Sequence, residues 1–503
     1  MTTSNFDFVT TYIRDLSLFT KLVSVDKFLI ANPYLHFRRY DTADHVTYNR
    51  FLKFYLASPF FSVFYSLYIY FLNIFFLLFG AFFSGFRVIY SFFILQPTLN
   101  PFHASRNSNS KIFFISHLND PSDITSADDF YFPGLCSKLL NFNSSSEFIL
   151  TNKPNYPISI QAQLSSSRGV PCRLLPQSLT PTKEFRLYMG VLFRTIFHLF
   201  LILSFSKHRV SLKSRFLQIL LIGHSRASLP NLRLHDFFST YFAKSLSVDI
   251  VFPFEGNCWE SMLLLSASQN QNIRIFAFVH SLLDTDFPAF APLACFKIFP
   301  YKFIIPHLSY INYIKKIFLE PDLNFSKSVG FSAITRSLNT SHSSNQHTSD
   351  NFLPKQPYFI ISPCGFLPQT LALIAIAYEA VSRISLLCIF SIHPFVYEQC
   401  VSSLPKHPLL VFVKGPLQAC IVASSLAFIF ERSTACLVAA YFHVPICNYS
   451  RTSKPVYHDI IPSYSVSTVD QLCLFLVDIV PSVTTSRNRF ILPFDPISLL
   501  DSL

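Results

Sequence analysis

One stretch constrains this chain more than any other: Val248 to Ser281, VDIVFPFEGNCWESMLLLSASQNQNIRIFAFVHS. The apolar run from Ile250 to Phe254 is short enough for a buried strand, with Pro253 near its end, and it stops at Glu255-Gly256. A helical pattern follows, in which Trp259, Met262, Leu263 and Leu265 are apolar and Ser261, Ser266, Ser268 and Gln269 polar. A second buried strand, Ile273 to Val279, ends on His280-Ser281. Strand, helix and strand within about thirty residues predict one βαβ unit of a parallel sheet. Ligands bind outside the carboxyl ends of the strands in such sheets. Glu255 and His280 both stand at such ends, roughly 5 Å apart laterally if the strands are neighbours. A carboxylate and an imidazole at one crevice can move protons. Asn257 and Glu260 have the spacing of an N-cap and an acid at the third helical position, so Glu260 reads as a helix-start residue. Trp259, the only tryptophan, reads as core beside the site.

Composition bounds what surrounds this unit. A chain of 503 residues has room for two or three domains with real cores. Half the residues are hydrophobic and only 14% are charged, which is apolar for a soluble enzyme and too evenly spread for a polytopic transporter. It suggests a globular protein with a membrane-associated part in residues 1–110, a helical region in which 54–86 carries no charge at all. That run is long enough for a membrane element, and tyrosines at 65, 68 and 70 with flanking Lys53, Arg87, Arg106 and Lys111 fit interfacial anchoring. Segment 54–95 is therefore expected to be membrane-associated, as a tilted span or re-entrant hairpin. A buried helical pair is the competing expectation. The chain has only ten glycines, and neither GxGxxG nor a Walker loop is present. A net charge of +12 suits an anionic membrane surface or a phosphorylated ligand. It is not gathered into an arm or stripe, which argues against nucleic acid. Eleven cysteines scattered without a CxxC read as reduced cytosolic thiols, with no metal site. No cleavable signal peptide is evident at the start.

Alternating strand and helix patterns predict an α/β fold in two sets. The first occupies 111–336, opening with KIFFISH. A polar run, 337–356, reads as a linker, and a second set fills 357–503. In that second set His393-Pro394 follows the strand LLCIFS. Ser424-Ser425 follow ACIVA, expected to be a strand, and precede an expected helix from Ala427 to Tyr441. Hydroxyls and free amides at a helix N-terminus suit phosphate, and Glu431, further along that helix, could reach a ribose hydroxyl. Plain N-capping for the serines and a structural turn for His393 are the simpler alternatives.

FEGNCWE with FAFVHS, then SVGF, SIHPF, and ASSLAFIFE with HVPICNY, resemble in order the bacterial surface-carbohydrate biosynthesis proteins of capsule and O-antigen type, which are GT-B-type glycosyltransferase-like. The resemblance spans roughly 111–480. It implies two Rossmann-like domains in a GT-B-like arrangement, appended to the N-terminal membrane-associated segment. It implies an acceptor domain carrying Glu255, Glu260 and His280, and a nucleotide-sugar donor domain carrying His393, Ser424, Ser425 and Glu431. The implied activity is transfer of a sugar from a nucleotide-activated donor to a glycan or lipid-linked acceptor, without cofactor or metal, at the cytoplasmic face of the inner membrane. Val279 stands where related sequences tend to have glutamine, and the glycines usual around such loops are largely missing. Transfer of a glycerol-phosphate-type group, or a non-catalytic scaffold in a polysaccharide complex, are the rival expectations.

Overall fold

The computed structural model describes residues 27–31, helical positions between 71 and 86 and, short breaks aside, residues 112–204, 228–343, 356–449, 461–479 and 491–503. Two wholly parallel sheets organise these residues. The first has seven strands in the order β3-β2-β1-β4-β5-β6-β7, and the second has six in the order β10-β9-β8-β11-β12-β13. The first comprises β1 (Ile112–Leu118), β2 (Ser146–Asn152), β3 (Cys172–Leu174), β4 (Val248–Pro253), β5 (Ile273–Phe278), β6 (Lys302–Ile305) and β7 (Phe325–Ser328). The second comprises β8 (Tyr358–Ser362), β9 (Leu387–Ile392), β10 (Leu410–Lys414), β11 (Ser425–Phe430), β12 (Ile446–Tyr449) and β13 (Tyr464–Val466). Each order steps outward one way and then reverses, so each sheet has a switch point, between β1 and β4 in one and β8 and β11 in the other. Crevices open at such points.

The strands form as buried runs because helices cover both faces of a parallel sheet. β8, β9 and β12 are buried at every position, and β4 and β5 at all but one. Helix α1 (Pro181–Ser204) packs near α2 (Ser228–Phe242), and α3 (Cys258–Ala267) links β4 to β5. Helix α4 (Ser332–Ser343) follows β7, α5 (Leu367–Ile384) follows β8, and α6 (Ala435–Tyr441) follows β11. One apolar cluster runs from Phe252 and Phe303 of the first sheet through Ile334 of α4 and Leu437 of α6 to Phe428 of the second. The two halves thus share packed side chains instead of meeting through polar surface.

Several boundaries differ from the sequence expectation. The polar run 337–356 begins inside α4, which extends to Ser343 because Ile334 and Ser337 are buried on its inner face. Residues 344–355 lie outside the described residues. The chain end returns to the first half: Phe331 pairs with Pro493, Asp495 N donates to Val329 O at 2.8 Å, and Thr335 Oγ1 donates to Phe494 O at 3.1 Å. Helix α7 (Pro496–Asp501) follows, N-capped by Asp495, and Lys302 Nζ reaches Ser502 O at 2.6 Å. This return needs Gly330, whose φ is +78° and whose missing Cβ would collide with the Pro493 carbonyl. Among the described residues no helix is long and apolar enough to cross a membrane. Most of segment 54–95 lies outside those residues.

Candidate functional site

β4 and β5 are neighbours with Pro253 opposite Phe278, so Glu255 and His280, each two residues beyond its strand, fall side by side. His280 Nε2 lies 3.3 Å from Glu255 Oε1. The sequence-predicted pair is therefore a real contact. Glu255 is the more open partner, with 20% of its side chain exposed against 8% for His280.

The turn that carries Glu255 is held from beneath. Gly256 takes φ +81°, a left-handed conformation that favours glycine. Glu260, wholly buried, accepts from Gly256 N at 2.9 Å, from Asn257 Nδ2 at 2.6 Å and from Glu255 N at 3.2 Å. This is a displaced capping box, in which the acid at the third helical position reaches past the N-cap to the two residues before it. Asn257 also donates to Glu255 Oε2 at 3.3 Å, fixing the second carboxylate oxygen. Trp259 is core, edge-on to Phe252 and to His117.

Three residues that sequence reasoning passed over complete the surroundings. Tyr131 stands edge-on to the His280 ring, 4.8 Å between centroids. It sits in a loop fixed by Asp129, which accepts from Tyr131 N, Phe132 N and Ser116 Oγ and pairs with Arg168 at 2.7 Å. His117, the penultimate residue of β1, has Nδ1 against the Thr151 hydroxyl. Arg336, on α4, lies over the Phe130 ring and donates to the Phe130 carbonyl. Burial pushes its pKa down to about 10, opposed by the negative charges of Tyr131, Asp129 and Glu255. The rule that singled out His280, a polar residue ending an apolar strand, would have found His117 at the end of KIFFISH. The Asp129–Tyr131 loop precedes the short helix Leu135–Asn141 and carries no local pattern of its own.

The second sheet corrects the donor-side reading. Ser425 opens β11 opposite Tyr358, at the amino edge of the sheet, and its hydroxyl donates to Ile421 O at 3.3 Å. It does not open a helix, and five strand steps of about 3.3 Å put it roughly 17 Å from the carboxyl edge. Ser424 lies outside the described residues. The physical reason is that LAFIF, buried almost throughout, has no alternation to distinguish strand from helix. Ile421, expected in a strand, is helical. Glu431 is not along a helix but directly follows β11, where its N–H donates to Ser362 O at 3.3 Å. The helix begins after Ser433-Thr434.

The carboxyl edge of this sheet thus carries Ser362, His393, Glu431, Ser433 and Asn448. Ser362 and Ser433 share a hydroxyl–hydroxyl bond of 3.0 Å, and the His393 carbonyl accepts from Val396 N at 3.0 Å. Asn448 is 1% exposed, with its Nδ2 unpaired. Among the described residues no group of three or more His, Cys, Asp or Glu converges as metal ligands.

No family model and no curated relative matches the sequence. Solved structures do. UDP-GlcNAc 2-epimerase from Methanocaldococcus jannaschii superposes with TM-score 0.50 at 12% identity, over 78% of this chain and 98% of that one. A putative UDP-N-acetylglucosamine 2-epimerase from Listeria monocytogenes gives TM-score 0.50 at 11% identity, over 77% and 93%. The glycosyltransferase SnogD from Streptomyces nogalater gives TM-score 0.41 at 11% identity, over 78% and 99%. At such identities the likeness is one of fold: two parallel α/β sheets in the GT-B-like two-domain arrangement.

Proposed function

We propose that the chain is an enzyme of nucleotide-activated sugars, and that it transfers the sugar to a hydroxyl of a glycan or lipid-linked acceptor in surface-polysaccharide synthesis. The observation that carries this reading is the Glu255–His280 contact at the carboxyl ends of neighbouring strands. Glu255, the more exposed partner, takes the acceptor proton. His280 orients the carboxylate through Nε2. The acceptor oxygen then bonds to the anomeric carbon as the bond from that carbon to the phosphate oxygen breaks, and the nucleotide leaves with the electron pair. His280 Nδ1 and Asn257 Oδ1 are buried without hydrogen-bond partners at this pair, which supports a polar ligand there. On the second sheet, His393, Ser433 and Glu431 are the residues proposed to meet the nucleotide, with the Ser433 hydroxyl and the His393 imidazole stabilising the charge that develops on the leaving phosphate.

A second reading, epimerisation at C2 of the sugar, is favoured by the two superpositions at TM-score 0.50. Both begin with binding, so a thermal-shift screen against nucleotides and nucleotide sugars comes first, since a ligand of the native state raises its apparent stability. The productive nucleotide sugar is then incubated with a glycan or lipid-linked acceptor in deuterated water. Transfer predicts nucleotide release and no label at C2. Epimerisation predicts label at C2 with the nucleotide retained. No stabilisation by any nucleotide would remove both readings.

A further inference from the structure

Beside the first sheet the described helical positions between 71 and 86 divide into two faces. Phe71, Phe75, Leu78, Phe79, Phe82, Phe83 and Phe86 are exposed, Phe75 by 70% and Phe82 by 69%. Ala81 is buried, Ile74 packs on the core cluster, and Gly80 and Gly85 abut Tyr188 and Phe185 of α1. A side chain at Gly80 would collide with the Tyr188 ring, so the helix is pressed against α1 and its outer face is fixed in direction. α1, packed beside it, also exposes Phe193, by 64%, and Phe197. Phe75 stacks on Phe79, Phe79 lies tilted against Phe83 with centroids 4.6 Å apart, and Phe83 meets Phe82 edge-on, giving one continuous aromatic surface.

An exposed apolar area of this extent marks a binding surface. Its chemistry selects the occupant. A protein partner's interface mixes apolar area with about one hydrogen bond per 100–200 Å², whereas the outward residues named here are all phenylalanine or leucine. Charge supplies the second argument. Between Asp44 and Asp120 there is no aspartate or glutamate, while Arg50, Lys53, Arg87, Arg106 and Lys111 fall in that interval. On α1, Arg186 is exposed next to Phe185, and the Arg194 guanidinium lies 5.0 Å above the Phe197 ring. The acid of that helix, Glu184, is buried against Arg233. An apolar face with cationic neighbours and no anion is complementary to an anionic lipid surface.

We infer that these helices form an in-plane membrane-docking face, with Phe75, Phe79, Phe82 and Phe193 entering the acyl boundary of an anionic bilayer and Arg186 and Arg194 meeting its headgroups. The inference replaces the expected span or hairpin by a surface element. It rests on no part of the nucleotide-sugar reading.

The test is co-sedimentation of the full chain with vesicles of phosphatidylcholine, with and without phosphatidylglycerol. Wild type binds the anionic vesicles more tightly, and raised salt weakens that preference. Phe79→Glu with Phe82→Glu lowers binding to both vesicle types by about tenfold or more. Arg186→Glu with Arg194→Glu lowers it on anionic vesicles only. Phe79, Phe82 and Arg186 are exposed and Arg194 half-buried, so unchanged thermal unfolding certifies the fold of each variant. Binding unaltered by the phenylalanine pair overturns the inference. So does a wild type that ignores vesicles but sediments as a dimer which the same pair dissociates, because the face then belongs to a second copy. Nucleotide binding measured on the same preparations keeps this result separate from the proposed activity.

Discussion

Replacing Glu260 by glutamine removes one charge and one acceptor while keeping shape. The carboxylate of Glu260 serves three donors, Gly256 N at 2.9 Å, Asn257 Nδ2 at 2.6 Å and Glu255 N at 3.2 Å, at a wholly buried position. A glutamine oxygen can keep the Asn257 contact, but its amide nitrogen then faces Gly256 N, donor against donor. The loss is one charge-assisted hydrogen bond, about 1.5–3 kcal/mol, and it leaves a buried N–H unsatisfied, a further cost of about 1–3 kcal/mol. Some relaxation of the turn offsets part of this, so the expected destabilisation is about 3 kcal/mol. For a half-molecule of this size that lowers its unfolding midpoint by roughly 6–12 °C. The assay is denaturant and thermal unfolding of Glu260→Gln beside Glu255→Gln, with each transition fitted separately because a two-domain chain need not unfold in one step. Glu255→Gln should stay within about 0.5 kcal/mol of wild type, since Glu255 is part-exposed and keeps its hydrogen-bonding shape. If Glu260→Gln cost less than about 0.5 kcal/mol, the claim that this carboxylate builds the turn would fail.

Other outcomes follow from single sites. Asp129→Ala leaves Arg168 charged and buried, and should cost about 3–5 kcal/mol in the first-half transition by urea unfolding. His235 is buried on α2, with its pKa pushed down to about 4 by burial and then by Lys27. The unfolded chain binds that proton from about pH 6.5 downward. Stability should therefore fall as pH drops from about 6.5 to about 4, by up to about 3 kcal/mol, and His235→Gln should flatten that slope in pH-dependent urea melts. Gly330→Ala should push the Pro493 carbonyl away and expose the chain end, read as faster limited proteolysis of the C-terminal residues.

The first-half site was legible because its physics is local. Two buried strands joined by one helix leave little choice of register, and Pro253 opposite Phe278 brings Glu255 to His280. Glu260 was legible as a helix-start residue for the same reason. The second half was read one element out of step. Leu426 to Tyr441 is apolar except for Glu431, Arg432, Ser433 and Thr434, and those four are the punctuation between strand and helix. The strand shows no alternation because both its faces are covered, so periodicity gave no warning. Tyr131 and Arg336 were not legible at all. They reach the site through contacts spanning some two hundred residues, such as Ser332 Oγ donating to Tyr131 O at 2.8 Å, which no local pattern records. The return of the chain end to β7 is likewise a tertiary pairing, foreshadowed only by a glycine at 330 in a chain that has few.

The most direct test of the account is turnover and nucleotide affinity measured side by side for wild type and Glu255→Gln. The nucleotide sugar is the one identified by thermal shift, with nucleotide release followed for turnover and calorimetry for affinity. The account predicts that turnover falls by about 10²–10⁴-fold while affinity stays within about twofold, because the glutamine keeps the shape of the site and lacks only the base. Unchanged turnover would show that Glu255 is not the reacting carboxylate. Lost nucleotide affinity would show that the nucleotide sits on the first sheet and not on the second.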